Sequence, residues 1–254
     1  MGGASRVGEQ RGGLGVFVKE VTIVVVGALI ASTLLRLFLL QVFSIPSRSM
    51  ESTLNVADRV AVQKVVPFKR GDVVVFRDNL EWLGNPDRNR SAAWQDALVF
   101  VGLLPDASTN HLVKRVIGVE GDHVVCCDTD GKITVNGAPL DETEYLYRDP
   151  DGEQDAPSLG NFDVIVPRGR LWVMGDHRAS SADSRCHLDE KVAGVAHMGA
   201  FPASDGVVGA ALFTLFPFDR WRGFSTPATF AGVPEASDAP EKPVVAVGGD
   251  GTLC

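Results

Sequence analysis

The sequence predicts a mainly β fold: an antiparallel β-sheet domain preceded by one transmembrane helix. Three observations carry this prediction. Residues 21–43 read VTIVVVGALIASTLLRLFLLQVF, apolar except for Arg36 and a few mildly polar residues. Short β-branched runs follow, several of them introduced by a Gly/Asp-type turn, which is the signature of strands. Asp130-Gly131 and Asn136-Gly137 bracket residues 132–135, two tight hairpin signals in succession.

Taken in order, residues 1–20 form a short N-terminal segment, of which Met1 to about Gly15 is Gly-rich and mixed in charge and predicts a disordered cap. The apolar run of 21–43 is about 35 Å long as a helix, against a hydrocarbon core of about 30 Å. It is too long for a cleaved secretory signal, whose apolar region is about 7–15 residues, so a retained anchor is expected. Arg36 lies near its far end, where a long side chain reaches the interface. The basic residues Arg6, Arg11 and Lys19 before the span balance Arg48, Arg59 and Lys64 after it, so charge does not orient it.

Residues 44–230 predict the folded domain. Strands are expected at 57–62, 70–76, 111–119, 123–127, 162–167, 169–174 and 207–216, where β-branched and aromatic residues concentrate. Two segments interrupt them, 77–110 with its charges and Trp82, and the acidic, Pro/Gly-rich 139–161; both read as surface excursions. Residues 231–254 read as a disordered tail.

The 254 residues carry a formal charge of −8, which argues against nucleic acid as a partner. Cys126, Cys127, Cys186 and Cys254 have no C-x-x-C spacing and the five histidines are scattered, so no metal is expected, and no pattern calls for a cofactor.

Chemistry concentrates in three places. Residues 44–54, SIPSRSMESTL, crowd hydroxyls directly after the apolar run, and Pro46 stiffens the connection that carries Ser47 and Ser49. Lys114 shares a strand face with Leu112 and Val116; a lysine on an apolar face is desolvated, which lowers its pKa and suits it to act as a base. Arg115 stays protonated and does not serve that way. Residues 175–185, GDHRASSADSR, hold Ser181 and the ion-pair candidates Asp183 and Arg185 in a loop between strands. Asp176-His177 suggests a Ser-His-Asp triad, but no G-x-S-x-G elbow surrounds any serine.

These segments together resemble the type I signal peptidases, membrane-anchored Ser/Lys leader peptidases. The resemblance runs from about Val21 to Phe218 and rests on the anchor, IPSRSM followed by Thr53-Leu54, RGDVVVF, LVKRVIG with Gly121-Asp122, and GD through SADSR. The Cys126-Cys127 pair and the WVMGDHR run look most like the actinobacterial branch. The resemblance implies Ser49 as nucleophile, Lys114 as general base, Ser47 as an oxyanion-hole donor and Ser181 as the residue orienting Lys114. It implies structural support from Asp183, Arg185 and Arg115. It also implies exported preproteins as substrates, cut after small residues, a lipid bilayer as partner, and a catalytic domain outside the cytoplasm. Glu51-Ser52 stands where the family often has a proline before Thr53, and His177, Ala179 and Ser180 where it often has asparagine or aspartate.

An extracytoplasmic placement makes a bridge from Cys126 or Cys127 to Cys186 the candidate disulfide, free thiols being the alternative. Two other readings compete: a self-cleaving repressor-type protease, against which the apolar span argues, and an anchored β-domain that binds a partner with an inactive dyad.

Overall fold

The computed structural model describes residues 11–84 and 110–247. A helix, α1 (Arg11–Phe38), forms one unit. Its stretch Gly15–Leu34 is long and apolar enough to cross a membrane. Thr22 and Thr33 return their hydroxyl protons to the carbonyls of Val18 and Leu29 one turn back, at 2.8 Å each, so neither presents an unsatisfied donor on an apolar helix.

The second unit holds two antiparallel sheets. In chain order the strands are β1 (Leu40–Ser44), β2 (Arg59–Gln63), β3 (Val73–Arg77), β4 (His111–Gly118), β5 (His123–Cys126), β6 (Thr134–Val135), β7 (Ala138–Pro139), β8 (Phe162–Ile165), β9 (Trp172–Met174), β10 (Val207–Phe216) and β11 (Val244–Val247). The larger sheet runs β1-β2-β10-β3-β4-β9 and the smaller β11-β8-β5-β6-β7. Every pairing among the described strands is antiparallel, which bears out the expected fold class. The hairpin signal at Asn136-Gly137 joins β6 to β7, with both residues at positive φ, as that turn requires.

Burial separates the sheet faces. Phe43, Met50, Leu54, Val62, Val73 and Val75 form one cluster; Val74, Phe76, Val116, Leu171 and Val173 form another. Around the smaller sheet, Ile117, Val135, Phe162, Val164, Trp172 and Phe201 close a third.

Four boundaries differ from the sequence reading. The helix spans 11–38 rather than 21–43, and Leu40–Phe43 belongs to strand β1, in register with residues 60–63 of β2. Pairing and the burial of Phe43 decide this, where an unbroken apolar run gives no boundary. Residues 11–15, expected to belong to a disordered cap, are helical; residues 1–10 lie outside the described residues. The segment 139–161 is not a surface excursion throughout, since Leu140, Glu142, Tyr145 and Leu146 are buried. Of 77–110, residues 85–109 lie outside the described residues.

The tail is the fourth correction. Residues 244–247 add β11 to the edge of β8, and Ser237 donates its hydroxyl proton to the Gly121 carbonyl at 3.0 Å. Gly121 sits at φ +80°, and a Cβ there would collide with the Ser237 carbonyl. The tail packs too closely for any other residue at that position. Residues 248–254 lie outside the described residues.

Cys126 is disulfide-bonded to Cys127, so neither makes the candidate bridge to Cys186 and neither is the free thiol of the alternative. Cys126 ends β5 in the smaller sheet, opposite Phe162, whereas Cys186 lies in the helical turn 184–187 beyond β9 of the larger one.

Candidate active site

The serine turn is the connection between β1 and β2. Their pairing runs one residue past Ser44, with the Ile45 N–H donating to Asp58 O and the Ala57 N–H to Ile45 O at 2.9 Å each, so residues 46–56 form a closed loop. Buried Ile45, Met50 and Leu54 pin it from beneath, and the Thr53 and Leu54 N–H groups fold back onto Met50 O. Ser52 adopts φ +78°, an uncommon backbone state for a residue with a side chain; Arg222 Nη2 donates to both the Ser52 and Thr53 carbonyls and holds it there. Ser49 is buried, Ser47 exposed, and their hydroxyl oxygens lie 3.3 Å apart.

Lys114 lies at the centre of β4, opposite Val74 of β3, and is 3% exposed. Burial pulls its pKa down from 10.5 to about 8; the Asp183 and Asp176 carboxylates oppose this and Arg185 adds to it.

The loop after β9 faces both. Asp183 accepts from the Gly175 N–H at 2.9 Å, from Ser181 Oγ at 2.7 Å, and from Arg185 Nε and Nη2 at 2.8 and 2.9 Å. Burial alone would raise its pKa, but the Arg185 charge and these hydrogen bonds hold it at about 2, so it is a carboxylate at neutral pH. Because Ser181 donates its proton to Asp183, its oxygen presents lone pairs rather than a hydrogen. Gly175 packs against Ser181 Oγ and the Ser49 carbonyl so closely that a Cβ would strike both. The His177 N–H donates to the Ser49 carbonyl at 3.1 Å, tying the loop to the serine turn directly.

Arg115 pairs with Asp176 rather than with Asp183, through Nε at 2.8 Å and Nη2 at 2.6 Å; Nη1 reaches the Gly71 carbonyl at 2.6 Å. Thr53 donates to the same Asp176 carboxylate. The Arg115 guanidinium lies 4.2 Å from the ring centre of Tyr145. Arg178, also fully buried, meets Glu142 through both terminal nitrogens, and Tyr145 Oη donates to Glu142 at 2.7 Å. Burial, followed by the Glu142 charge, pushes the Tyr145 phenol well above its ordinary range, so it remains a donor.

The structure thus brings Ser47 beside Ser49, Ser181 beside Asp183 and Arg185, and the charges of Asp183, Arg185 and Asp176 within reach of Lys114. Sequence reasoning missed Asp176, Thr53, Gly175, Arg178, Glu142 and Tyr145. The first four stand inside quoted motifs, but the partners that reveal their work are distant in sequence.

Fold and site define a β-sheet domain with a serine turn, a buried lysine and a loop after β9 tied to that turn, preceded by an apolar helix of membrane-spanning length. The chain belongs to the signal peptidase family, peptidase S26: the model described as "Signal peptidase, peptidase S26" matches residues 18–216. Signal peptidase I of Mycobacterium tuberculosis H37Rv is 36% identical over 238 residues, covering 86% of this chain and 79% of that protein. The probable signal peptidase I of Mycobacterium leprae is 38% identical over 210 residues, covering 73% and 72%. Signal peptidase I T of Bacillus subtilis is 29% identical over 204 residues, covering 78% and 85%. The chain is a peptidase of this family.

Proposed function

We propose that the protein cleaves N-terminal signal peptides from exported preproteins, after small residues, at the outer face of the cytoplasmic membrane. A single helix anchors it and the catalytic domain is extracytoplasmic. The reaction is acyl transfer by Ser49 with Lys114 as general base. The observation that carries this reading is the burial of Lys114, which brings its pKa to about 8 among the groups that hold the serine turn. At that value a useful fraction of the amine is neutral near physiological pH, which an exposed lysine does not offer.

In the proposed sequence, Lys114 Nζ takes the Ser49 hydroxyl proton as Oγ attacks the scissile carbonyl. The developing oxyanion is met by the Ser49 N–H and the Ser47 hydroxyl. The Lys114 ammonium then protonates the departing amine, and the neutral amine activates the water that hydrolyses the ester. Ser181, whose own proton is held by Asp183, accepts from Lys114 and orients it. Asp183 and Arg185 brace this loop, and Arg115 braces the strand end through Asp176. The 28-residue helix, about 42 Å long, leads into β1 one residue after it ends, which keeps the domain on a short tether. This suits a substrate that arrives embedded in the same bilayer.

The test is cleavage of a preprotein with small residues at the first and third positions before the cut, by the protein in detergent. Wild type is expected to cut, and Ser49→Ala and Lys114→Ala to be inactive. Ser47→Ala is expected to fall about 10²–10³-fold, the usual loss for one oxyanion donor. A folded wild type that cuts nothing, or a Ser49→Ala variant that still cuts, overturns the proposal.

A further inference from the structure

Beside the serine turn stands a row of side chains for which the acyl-transfer reading has no task. His177 touches the turn twice. Its backbone N–H donates to the Ser49 carbonyl at 3.1 Å, and its ring Nδ1 lies 3.2 Å from Glu51 Oε2. Nδ1 is buried and without a hydrogen-bond partner among the described residues, and the Glu51 carboxylate, its side chain 24% exposed, is the charged group that faces it. The same Glu51 oxygen accepts from Arg48 Nε at 2.8 Å.

The imidazole ring stacks on Tyr147, with ring centres 3.8 Å apart and planes 17° apart. Tyr147 is a fixed platform: its N–H donates to Asp176 O at 3.0 Å and its carbonyl accepts from Asp155 N–H at 2.9 Å. The ring of His177 is therefore clamped between the otherwise acidic 139–161 segment and the serine turn. An exposed charge pair such as Arg48 with Glu51 contributes little alone, but a buried imidazole drawn to the same carboxylate has few other conformations.

We propose that His177 is a positioning residue for Ser49: clamped on Tyr147 and drawn to Glu51, its ring fixes the backbone N–H that holds the Ser49 carbonyl. This sets the direction of the Ser49 hydroxyl. The inference rests on Ser49 as the nucleophile. Orientation of a nucleophile acts on turnover rather than on ground-state binding, so the effect belongs in kcat.

The first arm of the test is kinetic. His177→Ala and Glu51→Ala are each expected to lower kcat about tenfold with KM within about twofold, and the double variant to be no slower than either, since both break one interaction. His177→Asn is expected to recover most of the loss, because its amide nitrogen reaches toward the Nδ1 position and donates to Glu51. Losses that multiply in the double variant, or a His177→Asn variant as slow as His177→Ala, overturn the proposal. The second arm needs no turnover. Backbone hydrogen exchange across residues 175–180 is expected to accelerate at least about threefold in Glu51→Ala. Unchanged exchange overturns the positioning role, whereas a wild type that cuts no preprotein is the separate failure of the peptidase reading.

Discussion

Thr53 and Asp176 lie 123 positions apart, yet the threonine hydroxyl donates to the aspartate carboxylate, and Arg115 occupies the same carboxylate through two nitrogens. One buried group therefore joins the serine turn, the lysine-bearing strand and the loop after β9. Asp176→Asn leaves the Arg115 charge buried without its partner, and is expected to destabilise the domain by about 3–5 kcal/mol. Thr53→Val removes one hydrogen bond to a charged group and is expected to cost about 1.5–3 kcal/mol. Denaturant unfolding of the two variants checks both values and their order.

Burial of Lys114 makes stability depend on alkaline pH. The folded-state pKa of about 8 lies below the ordinary 10.5, so between these values the unfolded chain binds a proton that the folded chain has released. Stability from this group therefore rises with pH from about 8 to about 10.5, by about 3 kcal/mol in all, and the full penalty of burying the ammonium is present below pH 8. Lys114→Met is expected to abolish that slope and to raise stability at pH 7. Unfolding free energies of wild type and variant from pH 7 to 10 decide it. In the wild type, kcat/KM is expected to climb with pH toward a plateau above about 8.

The period-two pattern around Lys114 made its burial legible, because alternation within one strand needs no partner to be read. The serine turn was legible for a similar reason, Pro46 being a local constraint. Glu142 and Tyr145 were not: their neighbours are acidic and Pro/Gly-rich, and only contact with Arg178 and Arg115 makes their burial favourable. The end of the helix was equally hidden. Residues 39–43 continue its apolar run, and what turns 40–43 into a strand is the β2 edge some twenty residues later.

The docked tail gives a prediction of its own. Removing residues 234–254 strips β11 from the edge of β8 and breaks the contacts of Ser237 with Gly121 and of Pro234 with Asn136. The truncated domain is expected to lose about 2 kcal/mol or more, since the partly buried Val245 and the strand edge return to water. Its activity below the melting transition is expected to stay close to wild type, because the serine turn and Lys114 belong to the other sheet. Thermal unfolding alongside cleavage at low temperature separates the two effects; loss of activity without loss of stability contradicts this division of labour.

Gly175 supplies the sharpest test of the site's geometry. It is not at a positive φ, so alanine meets no backbone penalty there, and the effect of the substitution is steric. The new Cβ strikes Ser181 Oγ and the Ser49 carbonyl, the latter an atom that no rotamer change moves aside. Gly175→Ala must therefore push the loop away from the serine turn, lengthening the His177-to-Ser49 bond and shifting Ser181 relative to Asp183. Displacing a catalytic group by about 1 Å costs on the order of 10²-fold, so kcat is expected to fall by about that factor. The cost in stability is expected to be smaller, about 1–3 kcal/mol, as for other overpacking substitutions. A fully active Gly175→Ala variant would show that the loop and the serine turn act independently, against the reading of Ser49, Ser181 and Lys114 as one site.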